Sequence, residues 1–391
     1  MMRDAVIVDV VRTPSGRGKP GGMLSGVHPV DLLAGVLATL VERNGIDPAQ
    51  VDDVIGGCVS QIGEQSYNVV RNAVLSAGFP HSVPATTIDR QCGSSQQAAT
   101  FAAQGVLAGA YDIVIACGVE SMSRVPLGSS LAGASPSGER MHERYPDGLV
   151  SQGVSAELIA ARHQLSREAL DAFAAESHRR ATAAEASGAF SREVIAVPGV
   201  DGLVDETVRA STTAEGLAGL TPAFRTDALA ERFPEIDWRI TPGNSSPLTD
   251  GASAALIMSA ARADALGLTP RARFSSFAVT GSDPVMMLTG VVPATRRILT
   301  RAGMRIEEID AYEVNEAFAS VPLYWLAETG ADPARLNPRG GAIALGHALG
   351  SSGTRLLATL VCELEDSGGR YGLQVMCEGG GMANATIIER M

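Results

Sequence analysis

The chain has 391 residues, 45% of them hydrophobic, so it can bury a large core divided over two or three domains. Its formal net charge of −12 argues against a nucleic-acid partner. No apolar run approaches the roughly 20 residues of a transmembrane helix, and the N-terminal stretch has the pattern of a buried strand, so we expect no membrane association. The five cysteines include no C-x-x-C pair, which argues against a metal such as zinc and predicts a cytoplasmic protein with free thiols.

Apolar, β-branched runs bounded by glycine or polar turns predict six buried strands. In chain order they span residues 5–11, 53–59, 111–118, 252–259, 309–315 and 373–381. Helical patterns lie between them, for example at 28–45 and 293–303. Strands that alternate with helices predict an α/β fold whose strands are mainly buried.

Two stretches of the chain repeat one pattern at a nearly constant distance. Residues 40–57, LVERNGIDPAQVDDVIGG, match residues 298–315, ILTRAGMRIEEIDAYEVN, and a second match follows in both halves. The matched pairs are Gly45 with Gly303, Asp52 with Asp310, Gly93 with Gly350, and Cys117 with Cys377. The offset of 258 or 257 residues between the glycines predicts two copies of one α/β unit, with Cys92 and His347 at nearly equivalent corners.

The segment 121–240 fits neither copy and is rich in Gly, Ser and Arg. We therefore predict an inserted loop domain there, since long insertions in α/β folds commonly build a binding wall or lid. The N-terminal half would comprise residues 1–120, completed by 241–270, and the C-terminal half residues 271–391.

Four loops carry residue types suited to catalysis. Cys92, in DRQCGSS, lies at a predicted strand-to-helix corner, where a helix N-terminus favours a thiolate; an inert buried thiol is the alternative. Asn315, in EVNEAFAS, follows a strand at the edge where open sheets bind ligands, although it could simply cap a helix.

The other two loops lie near the C-terminus. His347, in NPRGGAIALGHALGSSGTR, could accept a thiol proton and leave a thiolate–imidazolium pair, or it could be a structural histidine. Cys377, in MCEGGGMANA, enters a Gly-Gly-Gly turn whose backbone N–H groups can form an oxyanion hole. The alternative is an inert cysteine before a flexible turn.

Together and in this order, the four loops resemble the thiolase family over essentially the whole chain. The stretches VSQGVSAELIAARHQLSREALDAFAAESHRRA, DETVR and TPGNSSPLTDGASAALIMS also look like family landmarks. The resemblance implies the thiolase fold: two repeated α/β units that form a layered α-β-α-β-α core, with an inserted loop domain. It also implies a homo-oligomer, dimer or tetramer, that binds CoA thioesters, uses coenzyme A as a substrate and holds no permanent cofactor.

The resemblance further implies roles for the loop residues. Cys92 would take the acyl group as a thioester, and His347 would deprotonate it. Cys377 would be the second acid/base. Asn315 would hold a water that, with His347, forms an oxyanion hole for the enolate, while the backbone N–H groups of Cys92 and Gly379 would form another for the tetrahedral intermediate.

Five further positions match coenzyme A contacts of the family. Arg209 would lie near the adenine nucleotide, although a solvated surface arginine is the alternative, and Ser246 would contact the pantetheine arm. Phe224, Met287 and Phe318 would line the tunnel.

Several residues depart from the family pattern. Ala348 replaces the usual Pro, and Ala383 a usual Gly. Gln152, with Ser151 before it, stands where short-chain biosynthetic members often carry His and Met, and Leu288 replaces a small residue. These last changes indicate a remodelled acyl pocket.

We therefore expect a degradative 3-ketoacyl-CoA thiolase of β-oxidation, with bulky or steroid-derived chains among its candidate substrates. One alternative is a biosynthetic acetoacetyl-CoA thiolase with the same chemistry in the other direction. Another is a catalytically silent acyl-CoA-binding protein. A ketoacyl synthase has a related fold, but the second active-site cysteine, Cys377, argues against it.

Overall fold

The computed structural model describes residues 4–391, which form one ten-stranded sheet and thirteen α-helices. The strands are β1 (Ala5–Arg12), β2 (Gly16–Arg17), β3 (Asp53–Gly57), β4 (Ala85–Ile88), β5 (Ile113–Ser121), β6 (Thr249–Ser259), β7 (Ala272–Gly281), β8 (Ala311–Val314), β9 (Tyr371–Glu378) and β10 (Met382–Arg390). The helices are α1 (Pro29–Arg43), α2 (Val69–Ser76), α3 (Ser94–Ala108), α4 (Glu139–Arg144), α5 (Gln152–Arg162), α6 (Arg167–Ala186), α7 (Ala214–Ala218), α8 (Asp227–Arg232), α9 (Ala260–Ala265), α10 (Val291–Ala302), α11 (Ser320–Thr329), α12 (Ala342–Leu345) and α13 (Ser352–Ser367). None of the helices in the described part of the chain is long and apolar enough to cross a membrane.

The sheet order is β4-β3-β5-β6-β1-β7-β10-β9-β8, with β2 paired to β6 off this path. The pairs β3–β4, β3–β5 and β8–β9 are parallel, and the other pairs are antiparallel. The order β3-β5-β6-β1 is mirrored by β8-β9-β10-β7, so the two halves of the sheet have the same construction. The predicted α/β fold with two repeated units is confirmed.

The repeat is most regular through its central elements. The starts of β3, α3 and β5 each precede the starts of β8, α13 and β9 by 258 residues. The same offset continues along the strands, because the pairing of Asp53 with Val114 is reproduced by that of Ala311 with Gly372.

The strand register corrects one detail of the repeat. At the offset of 258 residues, Cys117 corresponds to Val375, and the match of Cys117 with Cys377 was wrong. That match aligned two residues of the same type across a two-residue slip. Hydrogen-bond pairing instead makes Glu120 the counterpart of Glu378.

The successive side chains of each buried strand point to opposite faces of the sheet, so both faces must be covered. Helices cover both faces of each half of the sheet, and the core therefore has five layers. Ile113 and Ile115 of β5 pack with the outer helices α1 and α2, whereas Val114 and Ala116 pack with α3 and α13. The helices α3 and α13 also contact strands of the second half, whose other face is covered by α10 and α11. The two central helices therefore lie between the two halves of the sheet.

The inserted segment contains α4 to α8 and is tied to the first strand by buried ion pairs. The guanidinium of Arg12, at the end of β1, lies 2.6 Å from a carboxylate oxygen of Glu193 and 2.7 Å from one of Asp205. All three side chains are almost fully buried. Buried charges need such partners, since an unpaired ion loses its hydration without compensation.

Breaking this pairing should destabilise the fold. We expect Arg12→Ala to lower the free energy of unfolding by about 3–5 kcal/mol, because it leaves two buried carboxylates without their cation. Arg17→Ala is the matched control, since it removes an exposed ion pair with Glu206 and should cost at most about 1 kcal/mol. Urea unfolding followed by circular dichroism measures both losses, and equal losses would contradict the assignment.

Candidate active site

Cys92 lies in a strained turn between β4 and α3. The preceding residue, Gln91, has a φ of 50°, which is unusual for a residue other than glycine. A carboxylate oxygen of Asp89 accepts a hydrogen bond from the Gln91 N–H at 2.6 Å and holds the turn. Strain of this kind persists only where the surroundings enforce it, and it clusters at functional sites. The turn places a buried thiol just before the N-terminus of α3.

Three donors converge on the sulfur of Cys92. The backbone N–H groups of Cys92 and Gly379 both interact with Sγ and partly offset the rise in the thiol pKa that burial causes. The side-chain amide of Gln152, the first residue of α5, lies 4.0 Å from the same sulfur. A Cβ atom on Gly379 would lie only 2.8 Å from Oε1 of Gln91, so a larger residue here would push the Gln91 side chain aside. The donors can stabilise negative charge that develops beside Cys92.

His347 is held in one orientation by its two ring nitrogens. Nδ1 lies 2.6 Å from Oγ of Ser352, and this hydroxyl donates its own hydrogen to the carbonyl of Ala348 at 2.8 Å. The hydroxyl must therefore accept from Nδ1–H, which leaves Nε2 without a proton. Nε2 lies 3.3 Å from Nδ2 of Asn315, whose amide donates to it. The structure thus places a proton acceptor and an amide side by side.

Asn315 directly follows β8, and Cys377 lies on the neighbouring strand β9. The backbone N–H of Asn315 donates to the carbonyl of Val375, two residues before Cys377. The thiol of Cys377 is fully buried; burial raises its pKa, and negative charge on Cys92 and Glu378 adds to the rise. Oδ1 of Asn315 is buried and has no hydrogen-bond partner among residues 4–391, so it remains available to a water molecule or substrate.

Burial sets the resting protonation of Cys92 and His347. It raises the pKa of the Cys92 thiol to about 12, with a further contribution from the charge of Glu378. It lowers the pKa of His347 to about 3, helped by the charge of Arg355. The resting pair is therefore a thiol and a neutral imidazole. The thiolate expected at a helix N-terminus is not the resting form, because the loss of hydration outweighs the dipole of α3.

Four of the five residues matched to coenzyme A contacts lie in one region. The rings of Phe224 and Phe318 meet edge to face, with their centroids 6.0 Å apart. Phe318 and Met287 belong to the buried cluster that contains Cys377. The N–H of Ser246 donates to the carbonyl of Ala317, next to Phe318.

Arg209 is separate from this group. It lies exposed in the insertion, where its backbone N–H donates to Nδ1 of His178. No hydrogen bond or ion pair with the rest of the described chain engages its guanidinium.

The substituted positions also lie around the site. Ala383 is paired with Cys377 across β9 and β10, and Leu288 is completely buried. Ala348 borders a cavity of about 10 Å³, together with Thr13 and Arg355. This volume is close to that of one water molecule, so the loop of His347 is not tightly packed on this side.

Sequence reasoning missed the contacts of three residues. Gln152 was singled out only as a change in the acyl pocket, and Ser352 was not considered. The visible signal for Ser352 was a hydroxyl residue five positions after His347, at the start of a helix. Glu378 was also overlooked, although an acidic residue beside Cys377 in an apolar strand is unusual. All five cysteines are unpaired, and residues 4–391 contain no group of His, Cys, Asp or Glu placed to bind a metal ion.

Comparison with known proteins assigns the family. The family models for the thiolase N-terminal and C-terminal domains match residues 5–261 and 268–390. The chain is 47% identical to the steroid 3-ketoacyl-CoA thiolase FadA6 of Mycobacterium tuberculosis, over 100% of this chain and 95% of that protein. It is 43% identical to a 3-ketoacyl-CoA thiolase of Pseudoalteromonas translucida over 100% of both. A crystal structure of the Bacillus anthracis acetyl-CoA acetyltransferase matches with a TM-score of 0.87 and 36% identity, covering 100% of this chain and 99% of the other. The chain therefore belongs to the thiolase family and is an acyltransferase.

The hydroxyl of Ser352 should be required to orient His347. We expect Ser352→Ala to lower kcat in a thiolase assay about 100-fold with little change in KM, because the imidazole loses the contact that holds its tautomer and direction. Ser351→Ala is the matched control: its hydroxyl lies 2.8 Å from Oγ of Ser253 and is not bonded to His347. Similar losses in both variants would show that Ser352 acts only through packing.

Proposed function

We propose that this thiolase works in the degradative direction, cleaving 3-ketoacyl-CoA with coenzyme A to acetyl-CoA and a shortened acyl-CoA. The degradative direction is supported by the full-length relatives named 3-ketoacyl-CoA thiolase at 43–47% identity, and the chemistry by two separate sets of donors at the candidate site. Cys92 lies beside the N–H groups of Cys92 and Gly379, and Asn315 lies beside His347. Two donor sets suit a reaction in which an alkoxide and an enolate develop at different oxygens.

In the first step the sulfur of Cys92 attacks the 3-keto carbon, and its proton moves to Nε2 of His347. The N–H groups of Cys92 and Gly379 stabilise the resulting alkoxide. The bond between C2 and C3 then breaks, leaving the acyl group on Cys92 as a thioester. The enolate of acetyl-CoA is stabilised by His347 and by a water held on Asn315. Cys377 gives it a proton and becomes a thiolate.

In the second step coenzyme A removes the acyl group. The thiolate of Cys377 takes the proton of the coenzyme A thiol, and the sulfur of coenzyme A attacks the thioester. Cys92 leaves and recovers its proton from His347. Cysteine suits this role because the acyl group passes from one thioester to another, and both sites return to their starting protonation.

Coenzyme A would lie along the insertion as a substrate, with no permanently bound cofactor required. The exposed Arg209 would lie near the adenine nucleotide, and Ser246, whose N–H donates to the carbonyl of Ala317, would contact the pantetheine arm. We further propose a cytoplasmic homo-oligomer, dimer or tetramer, built from an N-terminal half of 1–120 with 241–270, a loop domain of 121–240 and a C-terminal half of 271–391.

The substrate class is proposed to include bulky acyl chains. Gln152 lies within reach of the sulfur of Cys92, and Leu288 fills a completely buried position beside the site. The 47% identity with a protein named a steroid 3-ketoacyl-CoA thiolase supports the same direction. A biosynthetic acetoacetyl-CoA thiolase is the second candidate, because the matching crystal structure is that of an acetyl-CoA acetyltransferase.

A substrate panel separates these candidates. Thiolysis is measured with acetoacetyl-CoA, a long-chain 3-ketoacyl-CoA and a 3-ketoacyl-CoA with a fused-ring side chain. We expect kcat/KM to be higher for the two larger substrates, and Cys92→Ala to abolish turnover because it removes the acyl acceptor. A clear preference for acetoacetyl-CoA would overturn the degradative proposal in favour of the biosynthetic one.

The two cysteines should be separable by experiment. Cys377→Ala should lower thiolysis of 3-ketoacyl-CoA by about 10²–10⁴-fold, since it removes a proton donor to the leaving carbanion. Acylation of Cys92 by a simple acyl-CoA, followed by mass spectrometry, should persist because no carbon–carbon bond breaks. Cys117→Ala removes another buried thiol, away from the site, and serves as control. Equal loss of both reactions in Cys377→Ala would contradict the assigned role.

A further inference from the structure

The carboxyl group of Glu378 is a buried acid for which the proposed mechanism has no use. Glu378 directly follows Cys377 at the end of β9 and is 0% exposed. Neither of its carboxyl oxygens has a hydrogen-bond partner among residues 4–391. An ionised carboxylate without donors is costly to bury, so the neutral form is favoured.

This carboxyl group lies against the N-terminus of α3. A Cβ atom built on Gly93, the N-cap residue of that helix, would lie 1.9 Å from Oε1 of Glu378. Cys92 immediately precedes Gly93. The unpartnered carboxyl and the thiol therefore share the positive end of one helix dipole, which can offset one negative charge better than two.

The other half of the molecule shows what a carboxylate here would need. Glu120, the counterpart of Glu378, is also completely buried but accepts four hydrogen bonds of 2.8–3.0 Å. One of its donors is the N–H of Gly350, the counterpart of Cys92 at the offset of 258 residues. In the active-site half the N–H of Cys92 is directed at its own sulfur and donates no hydrogen bond to Glu378.

The electrostatics of the neighbourhood agree with this geometry. Burial raises the pKa of Glu378 to about 8, with Asp89 adding to the rise and Arg90 opposing it. Burial raises the pKa of Cys92 and of Cys377, and negative charge on Glu378 adds to the rise in both. Because these groups would carry like charges, the ionisation of one of them makes the ionisation of the others harder.

We propose that Glu378 and Cys92 share a single negative charge at the N-terminus of α3, so that Cys92 becomes a thiolate readily only while Glu378 keeps its proton. Glu378 is thus a positioning residue that sets the alkaline limit of the nucleophile. During acylation the thiol proton goes to His347, and the carboxyl proton stays in place. The inference rests on the proposed role of Cys92 as acyl acceptor.

The test follows the rate at which iodoacetamide alkylates Cys92 in the substrate-free enzyme, as a function of pH. The thiolate sulfur forms a bond to the methylene carbon and iodide leaves, and peptide mass spectrometry assigns the label to Cys92. Below about pH 8, wild type and Glu378→Gln should react equally fast, each rising about tenfold per pH unit. Above about pH 8 the wild-type rate should level off, while that of Glu378→Gln keeps rising, giving a gap of about tenfold one pH unit higher.

Glu389→Gln is the matched control, because Glu389 is a largely buried acid on β10 that is paired with Arg273 and Arg370 away from Cys92. It should keep the wild-type bend. A wild-type profile that rises straight through pH 8 overturns the proposal without any variant, as does a bend that persists in both Glu378→Gln and Glu378→Ala. The readout uses no CoA thioester, so a failed substrate panel and a failed charge coupling are distinguishable.

Discussion

The active site depends on the close approach of α3 and α13 in the middle layer. Cys92 precedes the first helix and His347 precedes the second, so the packing of the N-terminal ends of these helices sets the relative position of the proposed nucleophile and the proposed base. A Cβ atom on Gly353 would lie 2.0 Å from the backbone nitrogen of Gln96, which leaves no room for any side chain. The N–H of Thr354 donates to Oγ of Ser95 at 3.0 Å and fixes the contact. Small residues therefore allow the two helices to pack closely enough to bring the residues of one site together.

The same burial that assembles the site removes charge from it at rest. Thiol and imidazole are both neutral because neither ion is hydrated in this interior. Charge is accepted only where donors are already oriented, namely at the N–H groups of Cys92 and Gly379 and beside Asn315. A reactive thiolate thus forms together with bond formation to substrate, which protects the nucleophile from unproductive reactions.

Much of this architecture was readable in the sequence, because local pattern determines it. All six predicted strands are present, since apolar β-branched runs have few other stable places in a fold. The strands β7 and β10 were missed because Ser276, Asn384 and Thr386 interrupt their apolar pattern. Thr386 accepts a hydrogen bond from the side-chain amide of Gln96, which lies on a helix distant in sequence. The four loops were singled out by their residue types, and their proposed roles came from the resemblance, but their supporting contacts were not predicted. The links of Ser352 to His347 and of Glu378 to Gly93 depend on tertiary geometry that no local pattern contains.

The counterpart positions Glu120 and Glu378 show what duplication offers an enzyme. Each half carries an acid at the same register of its strand, but only Glu120 is saturated with donors from neighbouring loops. In the first half, hydrogen bonds to Glu120 connect the neighbouring loops. In the second half, the carboxyl group of Glu378 makes no such bonds with residues 4–391. A fold made of two copies can thus keep one copy in a structural role while the other copy diverges. Catalytic chemistry then develops at positions where the two copies differ.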